Sequence, residues 1–269
     1  MAVSRDSFMT YRPYHIFGED RPSRWLVTCD HATNRVPPDM GGSLGIAPED
    51  MARHIAYDVG AAGVSLALAE RLDAPCVMSD FSRLVIDPNR GEDDPTLVMR
   101  LYDGTIIPTN RRVGAAEVER RLNAYYRPYH TALATLAARR PDTVILSMHS
   151  FTPQLRGRDP RPWHVGVLYG ADRRLTDPLL ARLHAEPDLV VGANEPYGGP
   201  LEGDAIDRHA IRPGRLNALV EIRNDLIGTE AGQIAWAERL APILDAALAD
   251  AEFEANGGPR DGRPDPHRT

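Results

Sequence analysis

The chain is short of several things, and each shortage removes a class of function. It has 2 cysteines in 269 residues, Cys29 and Cys76, each inside an apolar run. A disulfide scaffold is excluded, and buried reduced thiols are expected. There is no excess of basic charge: the formal net charge is −7 and the pI is about 5.7. A nucleic-acid binder would show a strongly basic face, so no nucleic-acid partner is expected. No apolar run approaches the roughly 18 residues of a membrane span, so no membrane partner is expected either. The first residues, MAVSRDSFMTYRPYHIFG, contain no apolar signal-peptide core, and a cytoplasmic location is expected. A Gly-rich phosphate loop and the HExxH spacing are absent, and no serine-nucleophile elbow of the Gly-x-Ser-x-Gly kind is expected.

What remains is ordinary globular composition, 42% hydrophobic and 26% charged. The most informative stretch is Thr143 to Pro153, TVILSMHSFTP. It opens as a β-branched apolar run suited to a strand buried on both faces. It then turns polar at Ser147, His149 and Ser150. A His just past the end of a central strand lies where open α/β sheets place their chemistry. The run Trp25 to Cys29 ends the same way, in Asp30, His31 and Asn34. Two strand ends that each deliver a His point to one shared site.

The other elements follow from period and punctuation. Residues 1–23 read as an extended surface arm. A helix is expected from Pro48 through His54, Asp58, Val64 and Leu68 to Leu72, with His54 and Asp58 on one face. Gly60 and Gly63 interrupt it, which a close helix–sheet approach would explain. Ala74 to Ser79 is a strand, followed by Arg83, Asp87, Asn89 and Arg90, a dense polar exit suited to gripping carboxylates. Residues 91–113 read as a semi-ordered lid, and Ala115 to Arg139 as the clearest helix. Trp163 to Tyr169, Asp188 to Val191 and Leu216 to Ile222 are strands, and Asp172 to Glu186 is a helix. Glu221 and Arg223 sit at alternate positions and point to one side of the sheet. The last helix runs from Glu230 to about Phe253 behind a Gly228-Thr229 cap. Residues 1–255 are expected to form a single catalytic α/β domain with a mostly parallel sheet, and 256–269 a disordered tail.

Amide hydrolysis at neutral pH needs a strong nucleophile and a charge stabiliser. A zinc-bound water supplies the first, its pKa lowered to roughly 7, and two His with a third ligand leave a position open for it. Glu221, off the metal, would move the proton, and arginines would hold a substrate carboxylate and polarise the scissile carbonyl.

At this point the stretches CDHATNRVP, RHIAYDVGAAGV, SRLVIDPNR, SMHSFTP, HVGVLYG, NEPYGG, DRHA and VEIRNDLI can be taken together. Over about Trp25 to Leu248 the chain resembles the N-formylglutamate amidohydrolase family, which is in turn similar to zinc carboxypeptidases. The resemblance implies a three-layer α/β/α fold with a mostly parallel mixed sheet and a zinc site at the strand ends. It implies His31 and His149 as metal ligands, Arg83, Asn89 and Arg90 as groups that handle the substrate, and Glu221 as the general base. The wider pattern begins with HxxE, and its glutamate falls here on Asn34. A neutral amide is a poor zinc ligand beside a carboxylate, so the third ligand is expected from Asp30 or Asp58, with Asp58 preferred. Arg223 joins the expected substrate-binding set and Arg83 the catalytic one. The implied reaction is cleavage of N-formyl-L-glutamate to formate and glutamate, a step of histidine breakdown. Another small N-acyl or peptide substrate, or a metal-free binding protein on the same fold, are the alternatives.

Overall fold

The computed structural model describes residues 11–256. A seven-stranded sheet runs in the order β1 (Tyr14–Phe17), β3 (Cys76–Ser79), β2 (Trp25–Cys29), β6 (Val144–Phe151), β9 (Asn217–Arg223), β7 (Val165–Leu168) and β8 (Val191–Ala193). The four central strands are mutually parallel. β1 is antiparallel to β3, and β7 is antiparallel to β9 but parallel to β8. The sheet is thus mixed and mostly parallel, as expected, but its edge at residues 14–17 was read as a surface arm. The short, half-exposed YHIF run lacks a buried-strand signature because only one of its faces meets the core.

Alternation along the central strands sends side chains to two cores. Trp25, Val27, Cys29, Val144, Leu146, Met148, Ala218, Val220 and Ile222 meet the helices α2 (Ala61–Arg71), α5 (Thr176–His184) and α6 (Glu230–Ala255). Leu26, Ile145 and Leu219 face the other way, toward α4 (Arg127–Ala137) and a layer of loop residues including Phe81, Leu84 and Ile86. His149 and Glu221 have the parity of Ile145 and Leu219, so the polar ends of β6 and β9 open on that second face. Their strands are in register, with His149 opposite Glu221. α6 begins where expected, the Thr229 Oγ accepting from Gly232 N at 3.2 Å. Among the described residues no helix is long and apolar enough to cross a membrane.

Four expectations need correction. The expected helix 48–72 is two helices, α1 (Pro48–Met51) and α2, with turns between. Gly60 adopts φ +81°, and a Cβ there would strike the Ile227 carbonyl, so the chain bends at a glycine. Gly63 faces Gln233 of α6, so a helix–helix approach rather than a helix–sheet one accounts for it. The helix 115–139 is α3 (Ala115–Arg121) and α4 joined by a π-helical turn at Leu122–Tyr126. β6 continues to Phe151 because β9 pairs along its whole length, so His149 lies within the strand rather than past it.

The stretch read as a lid contains a two-stranded hairpin, β4 (Leu101–Tyr102) and β5 (Thr105–Ile106). Arg53 holds it down through Asp103 at 2.5 Å. Cys29 and Cys76 are buried and free. Their strands are neighbours, but Cys76 stands opposite Val27 and Cys29 opposite Met78. The expected tail, apart from Asn256, lies outside the described residues.

Candidate metal centre

Three buried side chains converge where β2 and β6 end. His31, on the turn after β2, and His149, on β6, have ring centroids 5.1 Å apart. His31 Nδ1 lies 3.2 Å and His149 Nδ1 2.8 Å from one oxygen, Asp58 Oδ2. Asp58 arrives from the turn between α1 and α2. Its N–H donates to His31 O at 2.9 Å and its carbonyl accepts from Ala61 N at 3.1 Å. The break in the expected helix is what lets this carboxylate point between the two rings. One nitrogen from each His and one Asp58 oxygen all lie within 4.8 Å of one another, and two imidazole nitrogens with a carboxylate oxygen is a donor set that zinc accepts.

The far side of each ring supports the same reading. His31 Nε2 is 2.7 Å from Asp87 Oδ1. His149 Nε2 is 3.1 Å from Ser147 Oγ and 3.4 Å from Asp30 Oδ2, an ion-pair distance without hydrogen-bond alignment. Metal-ligating imidazoles characteristically rest their second nitrogen on a carboxylate, which fixes tautomer and ring direction. Asp30 is itself held by Tyr129 Oη at 2.5 Å. It therefore stands behind His149, and Asp58 is the acid in front. Asn34 is elsewhere, its Nδ2 donating to Met51 O at 2.8 Å, a loop brace rather than a ligand.

Burial pushes the Asp58 carboxyl up, but the His31 and His149 charges outweigh it and hold it well below the usual range. Burial likewise pulls His149 down, yet the aspartates beside it, Asp30 and Asp58, hold its pKa well above the ordinary imidazole value. Glu221 behaves oppositely. Burial raises its pKa to about 7, His149 pulling against the rise and Asp58 adding to it. Glu221 Oε2 is buried with no hydrogen-bond partner. A carboxylate poised near neutrality beside an unused oxygen is suited to carrying a proton.

A cavity of about 270 Å³ opens over this cluster, lined by His31, Asp58, His149 and Glu221 and by His54, Arg83, Asn89, Arg90, Tyr102 and Tyr197 among others. The chain has no lysine, so its cations are arginine or histidine. Arg83 donates from Nε and Nη2 to Asp87 Oδ2 at 3.1 and 2.8 Å, and its Nη1 is 3.5 Å from Asp58 Oδ1. Asn89 N donates to Asp87 Oδ1 at 2.9 Å, so Asp87 ties His31, Arg83 and the Asn89 turn together. Arg90 donates to its neighbour's carbonyl, Asn89 O, at 2.7 Å and to Thr96 Oγ1 at 3.2 Å. Among the described residues it forms no ion pair with a carboxylate.

Arg223 does not line this cavity. It shares the face of Glu221, as expected, but at the strand's last position it pairs with Asp225 at 2.8 Å and donates to the carbonyls of 161–163. His54, read as a helix-surface residue, does line it, with Nε2 buried and unbonded although Asp103 Oδ2 is 3.5 Å away. A Gly-x-Ser-x-Gly string does occur, at Gly41–Gly45. It follows a 3-10 turn rather than a strand, and Ser43 is exposed with its Oγ accepting from Gly45 N, so it forms no nucleophile elbow. Asp87 and Tyr129 were missed as site residues, and Asp30, expected as a possible ligand, stands behind His149 instead. Asp87 was visible as an acid between two arginines, but nothing along the chain tied it to His31.

Comparison with known proteins agrees with this geometry. Residues 23–228 match the family model described as N-formylglutamate amidohydrolase. The crystal structure of a gene product from Agrobacterium tumefaciens is similar, with a TM-score of 0.85 and 34% identity over 90% of this chain and 97% of that one. That of N-formylglutamate amidohydrolase from Ralstonia eutropha has a TM-score of 0.68 and 25% identity over 92% of this chain and 100% of that one. No curated protein matches. With 206 of its residues, 23 to 228, under that family model, the chain belongs to the N-formylglutamate amidohydrolase family and is a hydrolase of amide bonds.

Proposed function

We propose that this chain is a zinc-dependent amidohydrolase that cleaves N-formyl-L-glutamate, or a similar small N-acyl amino acid, to the free acid and the amino acid. One observation carries the reading. Two imidazole Nδ1 atoms meet a single carboxylate oxygen, His31 and Asp58 at 3.2 Å and His149 and Asp58 at 2.8 Å. His31, His149 and Asp58 would hold the ion, which when bound acidifies water and polarises a carbonyl.

The chain's own groups do the rest. Ionised Glu221 takes the proton of the attacking water and delivers it to the leaving nitrogen as the C–N bond breaks. Arg83, its Nε and Nη2 fixed on Asp87, presents Nη1 toward charge that develops on the carbonyl oxygen. Arg90, which forms no ion pair among the described residues, takes the amino acid's carboxylate, and Asn89 lies beside it. For N-formyl-L-glutamate the products are formate and glutamate, which is the chemistry of histidine breakdown in the cytoplasm.

The direct test is elemental analysis of protein purified without chelator, with product release measured on a panel of N-acyl amino acids. Stoichiometric zinc and formate release that a chelator abolishes are expected. Stoichiometric zinc with no hydrolysis of any member would defeat the proposal.

Two further outcomes are expected here. Arg90→Ala should raise KM for acidic substrates roughly 10- to 100-fold, the loss of a charged hydrogen bond of about 1.5–3 kcal/mol, with little change in kcat. An unaltered KM would remove Arg90 from the substrate site. Asp87→Asn should raise the zinc dissociation constant about 10- to 100-fold by releasing His31, as read by competition with a chelator. The wild-type constant in that variant would show that Asp87 does not orient the ligand.

A further inference from the structure

Behind the turn that carries Asn89 and Arg90 lies a second pair of histidines, which the hydrolytic site does not use. His130 on α4 and His209 in the π-helical turn Asp207–Ile211 are 4% and 6% exposed. His130 Nδ1 is 2.8 Å from His209 Nε2, and His130 Nε2 is 3.0 Å from the carbonyl oxygen of Pro88. A carbonyl only accepts, so His130 Nε2 carries a proton. His130 Nδ1 is then the acceptor of the pair, and His209 Nε2–H is the donor. Burial lowers His130 to about 3 and His209 to about 4, so both rings are neutral and the direction of the relay is set.

The same two segments grip the rest of the turn. Tyr126, in the π-helical entry to α4, donates to Arg90 O at 2.6 Å. Ala205 N, beside His209, donates to Asn89 Oδ1 at 3.3 Å. The carbonyls of 88 and 90 are thus held from one helix, and the Asn89 side chain from the segment that carries His209. Both places use a π-helical turn, a distortion frequent at functional sites.

We propose that the His130–His209 pair is a positioning element that sets the direction of Asn89 and Arg90 through the Pro88 carbonyl. The proposal rests on the reading of Asn89 and Arg90 as substrate-binding groups. A pair that only joins α4 to its neighbour would affect stability and leave the cavity side chains where they are.

The test uses the full-length, metal-loaded protein and the variants His209→Phe, His130→Phe and His130→Gln. On N-formyl-L-glutamate, or the best panel substrate, the Phe variants should raise KM about tenfold while kcat stays within about twofold and zinc content is unchanged. His130→Gln, whose amide can still donate to Pro88 O, should recover most of that loss. Nitrogen-15 NMR supplies a readout that needs no turnover. The wild type should show two neutral Nε2–H rings that do not titrate near the ordinary imidazole pKa of about 6.5, and the Asn89 side-chain amide and Arg90 Nε–H signals should move in both Phe variants. Titration of both rings near that value, or Asn89 and Arg90 signals that stay in place, overturns the proposal whether or not the protein hydrolyses the panel. Parallel losses in kcat and zinc would show a structural role and overturn it as well. An inactive wild type whose Asn89 and Arg90 signals do move would count against the substrate reading alone.

Discussion

Glu221→Gln is expected to keep zinc and lose turnover by about 10²- to 10⁴-fold, the range a positioned general base contributes. The substitution keeps the shape of the side chain and removes its basicity. Glu221 is the registered neighbour of His149 across β6 and β9, and one of its oxygens is unbonded. It is therefore free for a reacting proton. Turnover within a few-fold of wild type at full zinc occupancy would take Glu221 out of the mechanism.

The pH dependence of the same residue has a definite sign. Burial raises Glu221 from an ordinary 4.5 to about 7 in the folded chain. Its contribution to folding is therefore fully present below about pH 4.5 and is lost as pH rises through about 7. In the metal-free protein, Glu221→Gln should gain stability over wild type across that window, by at most about 1.4 kcal/mol per pH unit. Denaturant unfolding at several pH values reads this directly. The proposed mechanism needs Glu221 ionised, so kcat/KM should fall on the acid side of its pKa. A bound divalent cation moves that limb to lower pH by favouring the carboxylate.

Loss of metal is the second large effect. His149→Ala and Asp58→Ala should each abolish stoichiometric zinc, whereas Asn34→Ala should leave it intact. The contrast separates the cluster seen here from the HxxE pattern, which would place a ligand at position 34. A stability readout guards against misfolded variants. Free zinc at 100 times its dissociation constant stabilises the wild type by about 2.7 kcal/mol through mass action. At that same concentration the two ligand variants should gain nothing, and Asn34→Ala should gain the full amount. Full zinc occupancy in Asp58→Ala would remove Asp58 from the ligand set. Zinc binding to the wild type should also weaken as pH falls, since the ion displaces a proton from His149.

Much of the architecture was legible because burial writes itself as composition. The runs WLVTC, TVIL and LNALVEI are apolar at every position or nearly so, which only strands covered on both faces require. The polar residues that follow each run then marked the open end of the sheet. His31, His149 and Glu221 were found this way, as was the parity that puts Glu221 on the face where the cavity opens. The same parity misplaced Arg223, because facing a common side does not bring a residue into the cavity once the strand has reached its rim.

Asp58 was named, but on a mistaken footing. Helical spacing from Pro48 to Leu72 concealed a break at Gly60 whose cause, the Ile227 carbonyl pressing from another part of the chain, is non-local. Asp30 and Asp87 lie against the far nitrogens of the two histidines, and no spacing along the chain encodes such contacts. The His130–His209 pair joins residues 79 positions apart and was equally hidden.

Read along the chain alone, this protein declared its strands, its family resemblance and the two imidazoles and the glutamate at its centre, since these follow from short-range patterns of burial and from motif content. Which carboxylate faces the imidazoles, which ones stand behind them, and which of the two cavity arginines pairs with a carboxylate were settled only by folding. Those roles depend on charges brought within a few ångströms from distant segments, inside a buried site where an unpaired charge is too costly to keep.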